Sequence, residues 1–121
     1  MEKTGVLKGL RVLDFGQYIA GPMTAMILGD YGADVIHVDP PGGPRWNGWN
    51  CGAVLGRGKR SIILDLKTEA DLETAKKLAD AADILIENFR PGVMDRLGLG
   101  YEACAERNPT LIYCSPRLQP P

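Results

Sequence analysis

Apolar residues fall into short blocks along this chain, and polar segments separate them. Five blocks are rich in branched apolar residues with little polar alternation, which is typical of strands buried on both faces of a parallel sheet. Longer blocks between them carry apolar residues at helical spacing. The predicted strands are 11–16, 33–39, 61–66, 83–87 and 110–115, and the predicted helices are 21–32, 67–82 and one or two short helices within 93–108. This alternation predicts right-handed crossovers and a mostly parallel α/β sheet with helices on both faces.

Capping residues support the two longer helices. Pro22 suits the first position of helix 21–32, and Gly32 can supply the left-handed residue that ends it. Thr68 can cap the start of helix 67–82. The apolar positions at helical spacing are Met23, Met26, Ile27 and Tyr31 in the first helix and Leu72, Ala75, Leu78, Ala79 and Ala82 in the second.

Composition narrows the class of protein. The chain has 121 residues, the length of one domain or of a piece of a larger one, with a net charge of -1. This charge argues against nucleic-acid binding through bulk electrostatics. No apolar run approaches the roughly 18 residues of a membrane span, and MEKTGVLKGL is not a signal peptide. We therefore expect a cytoplasmic protein, with an organelle matrix as the alternative location, and neither a nucleic-acid partner nor a membrane partner.

The cysteines and the long loop give weaker signals. Cys51, Cys104 and Cys114 show no metal-ligand spacing, so reduced structural thiols are predicted and a metal site is not. A nucleophilic thiol needs a nearby base, and the single histidine, His37, lies inside a predicted strand. Residues 40–60 form a long polar loop, which is functional or disordered in most compact folds, and its two tryptophans favour partial burial.

Ligands in an open α/β sheet bind beyond the carboxyl ends of the strands. Three segments should meet there: GQYIAGP (16–22), LDLK (64–67) and ENFRPG (87–92). The chain lacks the GxGxxG, GxxxxGK[ST], GxSxG and HExxH patterns, which argues against a dinucleotide fingerprint, a P-loop, a nucleophile elbow and a zinc protease.

Cations near this predicted crevice suggest a ligand with phosphates. They are Arg57, Lys59, Arg60, Lys67, Arg90 and Arg96. Arginine forks suit phosphate oxygens, while Phe89 could cover an apolar stretch and Asn88 could orient an amide. The alternative is that these are solvated surface charges and a core phenylalanine.

Several long blocks resemble one known family. GLRVLDFGQYIAGPMTAMILGDYGADVIHVDPPGG, RGKRSIILDLK, ADILIENFRPGVMDRLGLGYE and NPTLIYCS are similar, in the same order, to the N-terminal region of family III CoA-transferases, which also include 2-methylacyl-CoA racemases. The resemblance covers roughly residues 7 to 115. It implies that 1–115 is the truncated N-terminal part of a Rossmann-like large domain, followed by an irregular tail over 116–121.

The resemblance also implies residue roles in binding coenzyme A. By position, the residues that match the family's CoA contacts are Tyr18, Ile19 and Ala20 near the thioester, Leu64 and Leu66 near the adenine, Asn88 and Phe89 along the chain, and Arg96 at a phosphate. Pro40 stands where some members have an arginine, and Trp46 or Trp49 could match an aromatic at the active-site mouth. Each position also has a purely structural alternative. Gly21 and Pro22 could simply start a helix, and Leu64 and Leu66 could be ordinary core residues. Asn88 could cap the following turn, and Arg96 could form a surface ion pair.

The family's chemistry implies the remaining expectations. Members transfer CoA from an acyl-CoA to a carboxylic acid through intermediates on an aspartate, with no permanently bound cofactor, and the full-length protein should be an intertwined homodimer. That aspartate is expected beyond the end of this chain, so no catalytic residue is predicted here and a fragment inactive by itself is expected. A racemase fragment and a noncatalytic CoA-binding or dimerising module are the alternatives.

Overall fold

The computed structural model describes residues 4–43 and 54–116. The strands are β1 (Arg11–Asp14), β2 (Asp34–Asp39), β3 (Lys59–Ile63), β4 (Ile84–Ile86) and β5 (Ile112–Cys114). The helices are α1 (Ala20–Asp30), α2 (Glu69–Asp80), α3 (Val93–Arg96) and α4 (Tyr101–Arg107). Trp46, Trp49 and Cys51, together with 117–121 of the predicted tail, lie outside the described residues. Within the described ranges, no helix combines the length and apolar character needed to cross a membrane.

The five strands form one parallel sheet in the order β3-β2-β1-β4-β5. The chain moves outward from β1 through β2 to β3, then returns to the other side of β1 for β4 and β5. Asp14 at the end of β1 is in register with His37 of β2 and with Ile86 of β4. The predicted α/β class and parallel sheet are confirmed.

Alternate strand residues feed two cores, because successive side chains point to opposite faces of a sheet. Leu13, Phe15 and Leu85 pack with residues of α2 and α4 on one face. Val12 and Val35 pack with Ala25 of α1 on the other face. Helices therefore cover both faces, as predicted.

Two of the predicted helix-capping residues, Thr68 and Gly32, are confirmed, whereas the predicted helix and strand boundaries differ from those observed. Thr68 Oγ1 accepts a hydrogen bond from the Asp71 amide and begins α2, and Gly32 has φ 108° just after α1. However, Pro22 is the third residue of α1, where its missing N–H is still not needed because the first turn has no internal acceptors. The predicted apolar stripe of α1 was also wrong in part, since Met23 and Ile27 are more than 40% exposed.

The third strand begins and ends earlier than the sequence predicted. Pairing with β2 starts at Lys59 and ends at Ile63, so the predicted segment 61–66 is shifted. The chain leaves the sheet after Leu64, whose amide still bonds to the Asp39 carbonyl, because the Asp65 amide turns to the Asp71 carboxylate at 2.8 Å. Polar residues of the next helix therefore end the strand before its apolar run is complete.

Candidate ligand-binding crevice

The order of the strands reverses between β1 and β4, because one branch of the sheet grows from each side of β1. Ligands of open α/β sheets bind at such a reversal, beyond the carboxyl ends of the strands. The loop after β1 and the loop after β4 meet there. These are two of the three segments that the sequence predicts to converge.

The side chain of Asn88 joins these two loops. Its Oδ1 accepts a hydrogen bond from the Gln17 amide at 2.7 Å, and its Nδ2 donates to the Gln17 carbonyl at 2.8 Å. Gln17 itself is 6% exposed. Asn88 therefore fixes the backbone of the loop after β1, and a ligand would meet the remaining hydrogen-bonding capacity of its amide or its backbone.

Two glycines make the same loop compact. A Cβ on Gly16 would lie 2.7 Å from the Cα of Gly21, and a Cβ on Gly21 would lie 3.2 Å from Asn88 Oδ1. Side chains at either position would push the loop away from itself and from β4. Gly16 and Gly21 thus allow the turn that carries the chain from β1 into α1.

The predicted thioester loop projects from this turn. Tyr18 has φ 65°, which makes it the described residue other than glycine with a left-handed backbone. Its side chain is 56% exposed and Ile19 is 46% exposed. Tyr18, Ile19 and Ala20 therefore lie at the surface, between buried Gln17 and the body of α1.

Phe89 and Arg96 follow β4. Phe89 is partly buried against the core that contains Leu85, and its amide donates to Glu87 Oε2 at 3.2 Å. Arg96 is exposed at the end of α3, and Nη1 of its guanidinium lies 4.0 Å from where a Cβ on Gly92 would stand. Arg96 therefore reaches back over the turn that links the ENF segment to α3.

Leu64 and Leu66 lie further away. They follow β3, which is separated from β1 by β2, or about 10 Å of sheet at ordinary strand spacing. Leu64 is 5% exposed in the core, and Leu66 packs against that core while partly buried. The structure thus brings 18–20 and 88–89 to one junction and sets the two leucines at the edge of the sheet.

Half of the predicted phosphate-binding cations are paired with carboxylates. Arg57 lies 2.7 Å from Asp30, and Arg60 lies 2.7 Å from Asp34. The third, Lys59, is buried and paired with Asp14. The remaining three, Lys67, Arg90 and Arg96, are exposed.

In the part of the chain that the structure describes, two hollows flank the sheet. One, of about 220 Å³, lies beyond β4 and β5 and is lined by Glu87, Arg90, Tyr101 and Ser115, with Ser115 Oγ hydrogen-bonded to Glu87 Oε1. The other, of about 260 Å³, lies at the opposite edge of the sheet, near Arg11. Only the first is on the edge where parallel sheets bind ligands, and it adjoins the ENF segment.

The sequence analysis missed a group of buried and half-buried charges beside the crevice. Asp14 Oδ2 lies 2.7 Å from His37 Nδ1 and 2.9 Å from Lys59 Nζ. His37 Nε2 lies 2.9 Å from Asp39 Oδ1, but the angle does not make a hydrogen bond, so this contact is an ion pair only. We call these four residues the charge cluster. Its sequence signals were the polar residues that end β1 and β2 and the i, i+2 spacing of His37 and Asp39.

Burial and charge oppose each other in the cluster. Burial by itself would raise the pKa of Asp14, but the hydrogen bond and charge of His37, together with Lys59, hold it below its ordinary value. Burial would likewise lower the pKa of His37, yet the hydrogen bond to Asp14 and the charges of Asp14 and Asp39 raise it above 6.5. Both groups are therefore stabilised in their charged forms.

The two described thiols lack the environment of a nucleophile. Burial raises the pKa of Cys104 and of Cys114, and Glu87 raises the second further. A raised pKa keeps a thiol protonated, and the thiolate is the reactive form. Cys104 donates to the Leu99 carbonyl at 3.4 Å, as a structural thiol does.

Known proteins match nearly the whole of this chain. The model of CoA-transferase family III matches residues 7–119. CoA-transferase/lyase DddD from Marinomonas sp. is 54% identical over 109 residues, which cover 90% of this chain and 13% of that protein. Succinyl-CoA:mesaconate CoA-transferase from Haloarcula hispanica is 44% identical over 93% of this chain and 32% of its own length. Alpha-methylacyl-CoA racemase from Homo sapiens is 43% identical over 88% of this chain and 27% of its own length.

A solved structure shares the fold. A CAIB/BAIF family protein from Brucella suis superposes with a TM-score of 0.86 and 39% identity, over 93% of this chain and 33% of that one. This chain therefore spans about a third or less of the length of these relatives.

Proposed function

Because this chain belongs to CoA-transferase family III, we propose that it forms the coenzyme A-binding part of an enzyme that moves CoA from an acyl-CoA thioester to a carboxylic acid. The observation that carries this proposal is the junction of Gln17 and Asn88. It sets the loop after β1 against the ENF segment at the reversal of strand order, where a long ligand can contact both.

The proposed roles follow the length of the ligand. The exposed loop at 18–20 would lie along the thioester end, and the 88–89 segment along the pantetheine arm. Arg96, exposed beyond them, would pair with a phosphate, because a guanidinium fork fits phosphate oxygens. Leu64 and Leu66 would border the adenine through the edge of the sheet. Since both leucines pack in or against the core, their contribution would be mainly through backbone and shape.

The proposed chemistry uses an aspartate outside the 121 residues. Its carboxylate would attack the thioester carbonyl and release the CoA thiolate, leaving a mixed anhydride. The thiolate would then attack the aspartyl carbonyl and release the donor acid, and the acceptor acid would take the CoA by the same two steps in reverse. A covalent route divides one barrier into smaller ones. The residues of this chain would bind and orient the CoA, and the full-length protein would act as an intertwined homodimer.

The alternatives share the binding step. The human racemase relative supports a fragment of a 2-methylacyl-CoA racemase, which would bind an acyl-CoA and exchange a proton beside its carbonyl. A noncatalytic module would bind CoA without a later step. The transferase is preferred because the matching family model and two of the relatives named above are described as CoA-transferases.

Isothermal titration with CoA tests the binding role. The wild-type chain should bind CoA. Arg96→Gln should lower the affinity for CoA about tenfold, since a charged hydrogen bond contributes about 1.5 kcal/mol or more and 1.4 kcal/mol is tenfold in affinity. The same variant should bind pantetheine, which has no phosphate, as the wild type does.

Arg57→Gln is the matched control, because Arg57 is also exposed but pairs with Asp30 at the end of α1. Its affinity for CoA should equal that of the wild type. No heat with millimolar CoA would contradict the binding role. With acyl-CoA and a free acid, the chain should show no transfer, and reproducible turnover would contradict the external aspartate.

A further inference from the structure

We propose that Asp14, clamped between His37 and Lys59, is a positioning residue that holds the 16–22 loop in place, and that His37 carries a proton while it does so. The three side chains come from β1, β2 and β3, and they lie on the face of the sheet that α1 covers. Asp14 and Lys59 contact the loop directly, and His37 contacts Asp14. Asn88, just after β4, contacts the loop from the other side of β1.

Asp14 is the centre of this arrangement. It is fully buried and ends β1, immediately before the loop. Its Oδ1 accepts a hydrogen bond from the Gly16 amide at 2.7 Å, while its Oδ2 accepts from Lys59 Nζ and lies beside His37 Nδ1. One carboxylate therefore links the first turn of the loop to two neighbouring strands.

Lys59 fixes the other end of the loop. Its side chain is 3% exposed, and its Nζ donates to the Pro22 carbonyl at 2.9 Å as well as to Asp14. The same ammonium group thus contacts both Asp14, at the end of β1, and Pro22, in the first turn of α1. A buried ammonium with two acceptors at this distance holds those ends at a fixed separation.

The geometry around His37 indicates an imidazolium. Nδ1 is hydrogen-bonded to Asp14 Oδ2 at 2.7 Å, and Nε2 lies 2.9 Å from Asp39 Oδ1 as an ion-pair contact without hydrogen-bond geometry. A neutral ring has only one N–H, so it would turn a lone pair toward one of these anions. With His37 protonated, two cations balance two carboxylates in a buried site, which is the arrangement that burial of charge requires.

Among residues 4–43 and 54–116, the hydrogen bonds and ion pairs of the cluster involve few groups that could compensate for loss of this proton. Asp14 comes from β1, Asp39 from the same strand as His37 and Lys59 from β3, while α1 contributes the uncharged Pro22 carbonyl. Deprotonation would leave two buried carboxylates facing one ammonium. The excess negative charge would loosen Asp14 and, through the Gly16 amide, the loop that carries Tyr18.

The direction of the pH effect follows from the folded-state pKa of His37, which lies above 6.5. A raised pKa contributes stability that is full below 6.5 and is lost as pH rises through the folded value. Asp14 has the opposite sign: its pKa is lowered, so its contribution is full above 3.8 and is lost in acid. The loop should therefore be held most firmly in weakly acidic solution and loosen toward alkaline pH.

NMR titration of the wild-type chain, without ligand, tests this inference. The chain has one histidine, so every imidazole signal belongs to His37. We expect both ring nitrogens to carry hydrogen at pH 6.5, with a midpoint above that value, and the amide signals of Gly16 and Gln17 to shift with the same midpoint. A neutral ring at pH 6.5 would overturn the proposal, and so would titration of His37 that leaves both amides unchanged.

His37→Lys is the companion variant, because the ordinary pKa of lysine, about 10.4, lies well above the pH range of the titration. In this variant the amide shifts of Gly16 and Gln17 should no longer follow pH, and their persistence would contradict the role of His37. The consequence for CoA rests on the proposed function. In the wild type, the affinity for CoA should fall as pH rises through the titration midpoint of His37. If CoA gives no heat at any pH, the proposed function fails, while the NMR titration still decides the positioning role.

Discussion

Lys59 and Arg60 are neighbours on β3, and each pairs with an aspartate, yet the two pairs differ in their surroundings. The side chains of Lys59 and Asp14 are 3% and 0% exposed, and those of Arg60 and Asp34 are 67% and 42% exposed. The Arg60 pair has the shorter separation, 2.7 Å against 2.9 Å. The separation of the charges therefore does not indicate which pair contributes more to stability, and the difference in burial does.

The environment sets what each pair does. Water and salt screen the exposed pair, and holding two long side chains together costs entropy, so such pairs contribute little. A buried charge that loses its partner is stabilised neither by solvent nor by an opposite charge, so the loss of folding stability is large. The same residue types, one position apart, thus give a surface contact in one case and a fixed support for the crevice in the other.

The largest effect should come from breaking the buried pair. Lys59→Met removes the ammonium that contacts Asp14 and Pro22, and it should lower the free energy of unfolding in urea by about 3 kcal/mol or more. Arg60→Met is the matched control on the same strand and should change it by less than about 1 kcal/mol. Equal effects of the two substitutions would show that burial does not distinguish the pairs.

An intermediate effect should come from removing the uncharged side chain of Asn88, which is hydrogen-bonded to Gln17 of the same loop. Asn88→Ala leaves the buried Gln17 amide and carbonyl without partners and should cost about 2 kcal/mol. Asn108→Ala is a suitable control, because Asn108 Nδ2 also donates to two backbone carbonyls, those of Ala79 at the end of α2 and of Ala82, away from the crevice. Both variants should lose stability in urea unfolding, but only Asn88→Ala should displace the NMR signals of Gly16.

The smallest effect should appear when salt is varied. The loss caused by Arg60→Met should shrink from about 0.5 kcal/mol in dilute buffer toward zero near 1 M NaCl, where the screening length is about 3 Å. The loss caused by Lys59→Met should persist, because solvent ions do not reach its pair. Urea unfolding at both salt concentrations checks this, and equal salt dependence would contradict the contrast between the pairs.

Sequence patterns predicted most of the fold. The alternation of apolar strands with helices was sufficient for the parallel α/β class, and Thr68 and Gly32 marked helix ends through local chemistry. The shift of β3 was not predictable in the same way. Its end depends on Asp71 of the next helix, which bonds to the Asp65 amide only after both elements have packed.

The site was predicted less completely, because its contacts depend on strand order and register. Asn88 was recognised as a residue of the crevice, but its bonds to Gln17 require that β4 return to lie beside β1. The charge cluster requires Asp14 to stand opposite His37, and no pattern within either strand states that register. Contact of CoA with the eight residues named from the family resemblance stays a prediction.

The backbone of Tyr18 adds a local conformational cost to the loop after β1. Left-handed φ values are costly for residues with a Cβ, by roughly 1 kcal/mol, and glycine or asparagine would relieve that cost. A bulky aromatic residue at φ 65° on an exposed loop therefore carries a higher backbone conformational energy than glycine or asparagine would. A Tyr18→Gly substitution would remove this cost from the turn between β1 and α1.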